Sequence, residues 1–285
     1  MKKIAAINDL SGFGKCSLTA DIPVISALGV QCCPLPTGIL SNQTGYPQYE
    51  HIDFTDHMQA FAEQWKNLSP DFDGILSGFI SNSRQGKIIA DFIDEFAGED
   101  TVVLVDPVMA DDGEIYDSYD SDSVDAIKAL VSKATVITPN LTELCVLTGT
   151  EYDSVAYLPV DEKLRKIRQL SSLMQKTVIT TGIPTDTGEV INTVFDSGDF
   201  SVIKNKKIGG SFSGTGDILA SVVAARLVTG SDVVSAVRLA SDFICSAIEA
   251  TVRETNGKYN TADGVHFERC LYKLVEKAGL NNGKN

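Results

Sequence analysis

The sequence lacks the marks of a secreted, membrane-embedded or zinc-binding protein. No apolar run approaches the length of a membrane span, and the run after Met1 is too short for a signal peptide before Asn8 and Asp9 intervene. The six cysteines include no CxxC pair, and the three histidines have no zinc-like spacing with them. We therefore expect a cytoplasmic protein with reduced thiols and no membrane partner.

Positive charge is also scarce. The chain has 24 Lys and Arg against 38 Asp and Glu, a formal net charge of −14. Such a field repels nucleic acid and anionic lipid, so no nucleic-acid partner is expected. It also repels ATP, and a phosphate site would therefore need local donors or a metal. The acids are scattered, which is typical of a solvated surface rather than an interaction tail.

What the sequence does have is an alternation of short β-branched runs with longer helical periods. The predicted strands are 3–8, 30–36, 74–77, 101–105, 135–138 and 177–181, and a Ser-Gly-Asp turn at 197–199 predicts a hairpin of 189–196 with 200–208. The predicted helices are 17–28, 55–68, 84–96, 121–131, 158–174, 215–229, 231–255 and 264–278. The polar segment 38–54 is predicted to be a loop or flap.

This order predicts the fold class α/β. We expect a doubly wound, mainly parallel central sheet with helices on both faces and antiparallel edge strands. No repeat or Pro-, Gly- or Ser-rich linker interrupts the 285 residues, so a single domain is predicted, with a flexible tail at about 281–285.

Ligands of such sheets bind at the carboxyl ends of the strands, beside the turns into helices. That rule singles out five segments, each with an unusual polar cluster. They are 8–15, 37–44, 106–109, 138–143 and 210–217.

The sharpest motif is Ser211-Phe212-Ser213-Gly214-Thr215-Gly216-Asp217, which precedes an apolar helix. Its glycines let backbone N–H groups converge at a helix N-terminus, which predicts an anion hole for a phosphate. Asp217, in the first turn, is placed to accept a proton from an attacking hydroxyl. The alternative is a plain helix start, in which Thr215 caps the helix and Asp217 favours its dipole.

Two further acids follow predicted strands. Asp106 opens Asp106-Pro107-Val108-Met109, where a carboxylate suits a metal or a phosphate, although Asp-Pro pairs also mark simple turns. Glu143 ends Thr138-Pro139-Asn140-Leu141-Thr142-Glu143 at the start of a helix. It is either the acid of a capping box or a second Mg²⁺ ligand beside Asp106.

Together the segments resemble the pyridoxal kinases of the ribokinase-like superfamily, over nearly the whole chain. The resemblance rests on five motifs: Ser41-Asn42-Gln43-Thr44-Gly45-Tyr46, Leu76-Ser77-Gly78-Phe79, the Asp106 and Thr138 segments, and Gly214-Thr215-Gly216-Asp217. It implies phosphorylation by ATP of the 5′-hydroxymethyl group of pyridoxal, pyridoxamine or pyridoxine. It also implies Mg²⁺, room for a monovalent cation such as K⁺, and a homodimer.

The resemblance assigns roles to residues at matching positions. It implies an anion hole at Gly214, Thr215 and Gly216, and a catalytic base at Asp217. The residues implied to serve Mg-ATP are Asp106, Thr138, Glu143, Thr180 and Thr181, with Asp106 and Glu143 nearest the metal. The residues implied on the substrate side are Asp9, Ser11, Thr44, Phe79 and Asp217.

Two departures concern the substrate. Asp9 stands where pyridoxal kinases often have serine, and the run Asn8-Asp9-Leu10-Ser11-Gly12 is similar to the Ser-Asp-Pro-Ser-Gly start of hydroxymethylpyrimidine kinases. Phe79 stands where a tyrosine is common and keeps only the ring face. The alternatives are therefore a hydroxymethylpyrimidine kinase of thiamine synthesis, or a non-catalytic nucleotide-binding regulator on the same fold.

Overall fold

The central feature of the computed structural model, which describes residues 1–278, is a nine-stranded sheet. The strands of the described residues are β1 (Lys3–Ser11), β2 (Gln31–Leu40), β3 (His51–Asp53), β4 (Gly74–Ser77), β5 (Val102–Val105), β6 (Ala110–Asp111), β7 (Glu114–Ile115), β8 (Val136–Ile137), β9 (Thr177–Pro184), β10 (Glu189–Asp196) and β11 (Asp199–Lys206). The order across the sheet is β11-β10-β9-β8-β5-β4-β1-β2-β3, and β6 pairs only with β7. The six strands from β9 to β2 are parallel, whereas β3, β10 and β11 pair antiparallel at the two ends. The predicted mainly parallel sheet with antiparallel edges is confirmed.

Helices cover both faces of this sheet, as predicted. The α-helices of the described residues are α1 (Ser17–Ala27), α2 (Thr55–Leu68), α3 (Ser83–Phe96), α4 (Ser121–Lys133), α5 (Leu141–Thr148), α6 (Asp153–Ala156), α7 (Val160–Leu173), α8 (Thr215–Val228), α9 (Val233–Glu254) and α10 (Leu271–Lys277). One core packs α1, α8, α9 and α10 against the sheet, and a second core packs α2 to α7 on the other face. Between residues 1 and 278, we find no helix with the length and apolar character needed to cross a bilayer.

Local sequence chemistry explains several element boundaries. Residues 4–7 of β1 are completely buried, as expected for a central parallel strand covered on both faces. Side chains of Asn82, Asp120, Asn140 and Asp232 accept hydrogen bonds from backbone N–H groups at the starts of α3, α4, α5 and α9. Such caps satisfy N–H groups that a helix leaves unpaired, and they fix where each helix begins.

The prediction for segment 38–54 was wrong at its ends. β2 continues to Leu40 and pairs antiparallel with β3, so that only residues 41–50 form a loop. The side chains of β3 are all exposed, and a strand with polar, solvent-facing residues therefore carries little of the apolar alternation that identifies strands.

The last predicted helix was also too long. Residues 264–270 instead contain Gly264 at φ +76° and a 3₁₀ turn at Phe267–Arg269, and α10 begins only at Leu271. Val265 and Phe267 are buried in this irregular stretch, so packing against the core overrides helical continuity. The hairpin of β6 with β7 and the short helix α6 were missed, and the predicted flexible tail lies outside the described residues.

Candidate active site

A cleft of about 930 Å³ lies at the carboxyl ends of the parallel strands. All five segments singled out by the strand-end rule contribute to its wall, as expected for an α/β sheet. The predicted site residues that line it are Asp9, Ser11, Thr44, Phe79, Asp106, Thr138, Glu143, Thr181, Gly214, Thr215, Gly216 and Asp217.

Thr180 is the predicted site residue that does not line the cleft. Its side chain is completely buried, and Thr193 on the neighbouring strand lies directly opposite. Successive residues of a strand point to opposite faces, so the sheet separates the adjacent pair and leaves only Thr181 at the cleft. The side chain of Thr180 therefore belongs to the core.

The turn into α8 is built for close approach of backbone to backbone. Gly214 has φ +81°, and a Cβ there would lie 1.9 Å from the carbonyl oxygen of Lys15. No side chain caps α8, and the hydroxyl of Thr215 donates instead to the carbonyl of Phe212 at 3.0 Å. The alternative in which Thr215 caps the helix is therefore wrong. The helix start leaves backbone N–H groups available for an anion.

Asp217 lies in the first turn of α8 and faces the cleft. Its Oδ1 accepts a hydrogen bond from Nδ2 of Asn8 at 3.1 Å. Burial raises the pKa of the Asp217 carboxyl to about 6, and the backbone of Ser17 and the side chain of Asn8 oppose that rise. A carboxylate with such a pKa can take a proton near neutral pH and release it again.

Asn8 is a site residue that sequence reasoning missed. It is buried, its amide also donates to Oδ2 of Asp21 at 3.2 Å, and its Oδ1 accepts from the backbone N–H of Phe79 at 2.9 Å. Ser221 donates to Oδ1 of Asp21 at 2.7 Å, which fixes this buried acid from α8. The only sequence signal was a polar residue ending an apolar strand, together with an acid inside an otherwise apolar helix.

Asp9 lies at a bulge of β1, between Asn8 and Leu10. Its carboxylate is 5% exposed and accepts hydrogen bonds from the hydroxyls of Ser11, at 2.8 Å, and Ser17. Ser17 itself has φ +50°, a conformation that costs free energy in a residue with a Cβ. Two serines therefore hold Asp9 toward the cleft, and desolvation by burial raises its pKa.

Thr138 and Asp106 are paired at the ends of β8 and β5. The threonine hydroxyl donates to Oδ1 of Asp106 at 2.8 Å. Burial, and then the neighbouring charge of Asp217, raise the pKa of the Asp106 carboxyl to about 7.

Glu143 forms the capping box that was one of the two roles predicted for it from the sequence. One carboxylate oxygen accepts from the backbone N–H of Asn140 at 2.9 Å, and the Asn140 side chain accepts from the N–H of Glu143 at 2.9 Å. The other oxygen accepts from the N–H of Met109 at 3.1 Å. Burial, followed by the charge of Asp106, raises the pKa of Glu143.

Asp106 and Glu143 suit a cation that arrives together with a ligand. Within residues 1–278 no cluster of three or more His, Cys, Asp or Glu side chains could hold a metal alone. The two carboxylates are nevertheless held close enough to raise the pKa of Glu143, and no basic side chain neutralises either of them among the described ion pairs. Mg²⁺ commonly uses one or two carboxylates together with waters and substrate phosphates. The pair fits that ion.

The loop 41–50 contributes Gln43, Thr44 and Tyr49 to the cleft wall and is hydrogen-bonded to the segments around residues 213 and 262. Nε2 of Gln43 donates to the carbonyl of Ala262 at 3.0 Å and to the hydroxyl of Ser213 at 3.3 Å. The phenol of Tyr46 donates to the carboxylate of Asp263. Phe79 also lines the cleft, and its ring lies 6.1 Å from that of Tyr119.

Comparison with known proteins places this architecture in a family. Residues 13–262 match the family model described as phosphomethylpyrimidine kinase. A Bacteroides thetaiotaomicron structure, provisionally assigned as a phosphomethylpyrimidine kinase and crystallised with pyridoxal, is 36% identical and covers 96% of this chain and 95% of its own, with a TM-score of 0.88. The pyridoxine/pyridoxal/pyridoxamine kinase of Bordetella avium is 25% identical over 80% of this chain and 78% of its own.

A plant relative is larger. The chloroplastic thiamine biosynthetic bifunctional enzyme of Arabidopsis thaliana is 27% identical over 84% of this chain, and the match spans 45% of that enzyme. With the family model covering most of its length, and with its strand order and strand-end cleft, the chain belongs to the phosphomethylpyrimidine kinase family of the ribokinase-like superfamily.

Proposed function

We propose that this protein transfers the γ-phosphoryl group of ATP to the 5′-hydroxymethyl group of pyridoxal, pyridoxamine and pyridoxine. The observation that carries the proposal is the position of Asp217, one residue after Gly216 in the uncapped turn that opens α8. A proton acceptor and a set of backbone N–H donors thus lie side by side at the cleft. Phosphoryl transfer to an alcohol needs both, together with positioning.

In the proposed mechanism, Asp217 and the backbone of the α8 turn have separate roles in phosphoryl transfer. Asp217, oriented by Asn8, accepts the proton of the hydroxymethyl group as the substrate oxygen attacks the γ-phosphorus of ATP, and the bond from that phosphorus to the bridging oxygen breaks to release ADP. Backbone N–H groups of residues 214–216 stabilise the negative charge on the transferring phosphoryl. The protonated Asp217 then releases its proton to solvent, which a pKa of about 6 permits at neutral pH.

The remaining residues hold the two substrates. Asp106 and Glu143 would bind Mg²⁺, which supplies positive charge to the nucleotide phosphates when it is present. Thr138 and Thr181 line the nucleotide side of the cleft in this proposal. Asp9 accepts a hydrogen bond from the heterocycle, and Phe79 contacts the ring face. Loop 41–50 limits the access of water, which suppresses futile hydrolysis of ATP.

The second candidate substrate is hydroxymethylpyrimidine. Two observations favour it: the description of the matching family model, and the carboxylate of Asp9, which suits a ring bearing an amine. The pyridine assignment is supported instead by the 36% identical Bacteroides structure crystallised with pyridoxal. Both candidates use the same base and the same phosphate site.

A side-by-side turnover assay tests the proposal. ADP formation is measured with ATP, Mg²⁺ and each of pyridoxal, pyridoxamine, pyridoxine and hydroxymethylpyrimidine, and Asp217→Asn serves as the control. We expect turnover of the pyridine vitamers, and at least a ~10²-fold loss in Asp217→Asn. Turnover of hydroxymethylpyrimidine and of none of the pyridine vitamers would identify the pyrimidine as the substrate instead. Nucleotide binding without turnover of any alcohol would favour a regulatory protein.

A further inference from the structure

Lys163 is the one basic residue among those that line the cleft in the described part of the chain. The cleft is otherwise rich in acids, which include Asp9, Asp106, Glu143 and Asp217. A polyphosphate entering such a cleft meets repulsion, since like charges raise its free energy. A cation on the wall would oppose that repulsion, and Lys163 is the side chain in place to do so.

The surroundings of Lys163 leave its ammonium group unpaired. The residue is only 8% exposed, yet among residues 1–278 it has no side-chain hydrogen bond and no ion pair. Among the described residues, Nζ of Lys163 is not one of the buried atoms that lack a partner, so the stem is packed while the ammonium keeps contact with solvent in the cleft. An ammonium has three hydrogen-bond donors, and their lack of partners here indicates that an anionic group of a ligand pairs with them when it binds.

The position of Lys163 in the fold indicates which part of a ligand it meets. It lies on α7, which packs against α5 and β10, and β10 is the neighbour of β9, whose Thr181 lines the cleft. Asp217 is held from β1, and β9 is four strand positions from β1, a separation of ~19 Å at about 4.8 Å per strand. The heterocycle beside Asp9 is therefore out of reach of Lys163.

We propose that Lys163 binds the non-transferred phosphates of the nucleotide, and so makes the cleft select nucleoside di- and triphosphates over nucleosides. The inference rests on the proposed function, because it takes the β8–β9 side of the cleft as the nucleotide side. Asp106 lies after β5, two strand positions from β9, so Lys163 contacts phosphates other than the one that Asp106 and the α8 turn receive. No covalent step involves the lysine.

Direct binding measurements test the proposal. Titration calorimetry with ADP and with adenosine, both in the presence of Mg²⁺, is carried out on the wild type, Lys163→Met and Lys163→Arg. Methionine has an unbranched apolar side chain similar to the stem of lysine, so Lys163→Met should keep the packing of this buried position and retain the fold. Lys166→Met, on the same helix but away from the cleft, is the matched control for the loss of one charge.

We expect the Kd for ADP to rise about tenfold in Lys163→Met, equivalent to ~1.4 kcal/mol, with the Kd for adenosine unchanged. Lys163→Arg and Lys166→Met should bind ADP like the wild type. The role of Lys163 would be overturned if Lys163→Met bound ADP as tightly as the wild type, or if it lost affinity for ADP and adenosine equally. Either result would leave the proposed function standing. A wild type that binds neither ADP nor adenosine would overturn the proposed function, and this inference with it.

Discussion

The side-chain amide of Asn8 lies 3.1 Å from Oδ1 of Asp217 and joins the first strand to the first turn of α8 across 209 positions of sequence. The second amide hydrogen is held by Asp21, which is held in turn by Ser221. Because every polar atom of the Asn8 side chain is engaged, the direction in which it presents its donor to Asp217 is fixed. The orientation and the pKa of the proposed base therefore depend on a residue outside the glycine turn.

The first prediction concerns pH. Only the ionised Asp217 accepts a proton, so kcat/KM should rise with pH and level off above about 6. The hydrogen bond from Asn8 favours the ionised form and lowers the pKa, and Asn8→Ala should therefore move the midpoint to higher pH. The measurement is the pH profile of kcat/KM for both proteins.

Asn205→Ala is the matched control, since it removes an amide–carboxylate hydrogen bond of 3.2 Å to Asp242 at an exposed position. Its profile should coincide with that of the wild type. A profile that does not depend on pH between 5 and 8 would exclude Asp217 as the titrating base. A midpoint unmoved by Asn8→Ala would limit Asn8 to a structural role.

The strand-end residues could be predicted from sequence because their signal is local. Asp106 and Thr138 follow buried apolar strands, and the sheet rule then places them at one edge. Their hydrogen bond of 2.8 Å follows from the adjacency of β5 and β8, which the β–α alternation already indicates. The Gly214 turn is recognisable for the same reason, since its glycines and the helix that follows are contiguous.

Contacts between distant segments could not be predicted. The partner of Asn8 depends on where α8 packs against α1 and β4, and no short pattern encodes that placement. Lys163 looks like an ordinary residue of an amphipathic helix, and only the fold shows that its face of α7 meets the cleft. Thr180 and Thr181 were predicted together as site residues, because only the register of the folded strand decides which of two neighbours faces a ligand.

A second prediction separates the two interpretations of Glu143. Glutamine at this position can retain the capping box and removes the negative charge, but its amide nitrogen cannot accept from the N–H of Met109, so Glu143→Gln should fold with a free energy of unfolding lower by ~1–3 kcal/mol. If Glu143 helps to bind Mg²⁺, the variant should need several-fold more Mg²⁺ for half-maximal turnover. Magnesium titrations of initial rate at fixed ATP provide the measurement.

The control for that change is Glu162→Gln, an exposed acid in the first turn of α7. It should leave the Mg²⁺ requirement unchanged. A Glu143→Gln titration that also coincides with the wild type would show that Glu143 acts only as a helix cap.

The third prediction concerns the shape of the α8 turn. Gly214 and Gly230 both have positive φ, at +81° and +88°, but a Cβ on Gly214 meets the Lys15 backbone whereas one on Gly230 meets nothing within 4 Å. Gly230→Ala should therefore lower the free energy of unfolding only by the conformational cost of ~1–2 kcal/mol. Gly214→Ala should lose ~1–3 kcal/mol more, because a backbone carbonyl cannot easily move aside.

Urea denaturation of both variants measures the difference, with turnover recorded in parallel. Gly214→Ala should also lose turnover, because relief of the contact moves the N–H groups of the anion hole. Equal free energies of unfolding for the two variants would show that the turn adjusts to a Cβ, contrary to the close approach of Lys15.

The last prediction concerns substrate choice. The carboxylate of Asp9 is 5% exposed, and its only side-chain donors among the described residues are the hydroxyls of Ser11 and Ser17. It makes no hydrogen bond to the N–H groups of residues 12–14, so Asp9 does not cap the glycine-containing turn that follows it. A carboxylate has about four acceptor sites, and it therefore retains capacity for a donor on the substrate.

Asp9→Ala should therefore lower kcat/KM for pyridoxal and pyridoxamine about tenfold, equivalent to ~1.4 kcal/mol. Asp117→Ala removes an exposed carboxylate from the same cleft and should have little effect. Parallel kinetics on both vitamers and on hydroxymethylpyrimidine decide the question. If Asp9→Ala reduces kcat/KM only for hydroxymethylpyrimidine, and the wild type prefers that ring by a wide margin, the pyridoxal assignment fails. The phosphoryl-transfer mechanism would survive, because Asp217 and the α8 turn act on the hydroxymethyl group that both rings carry.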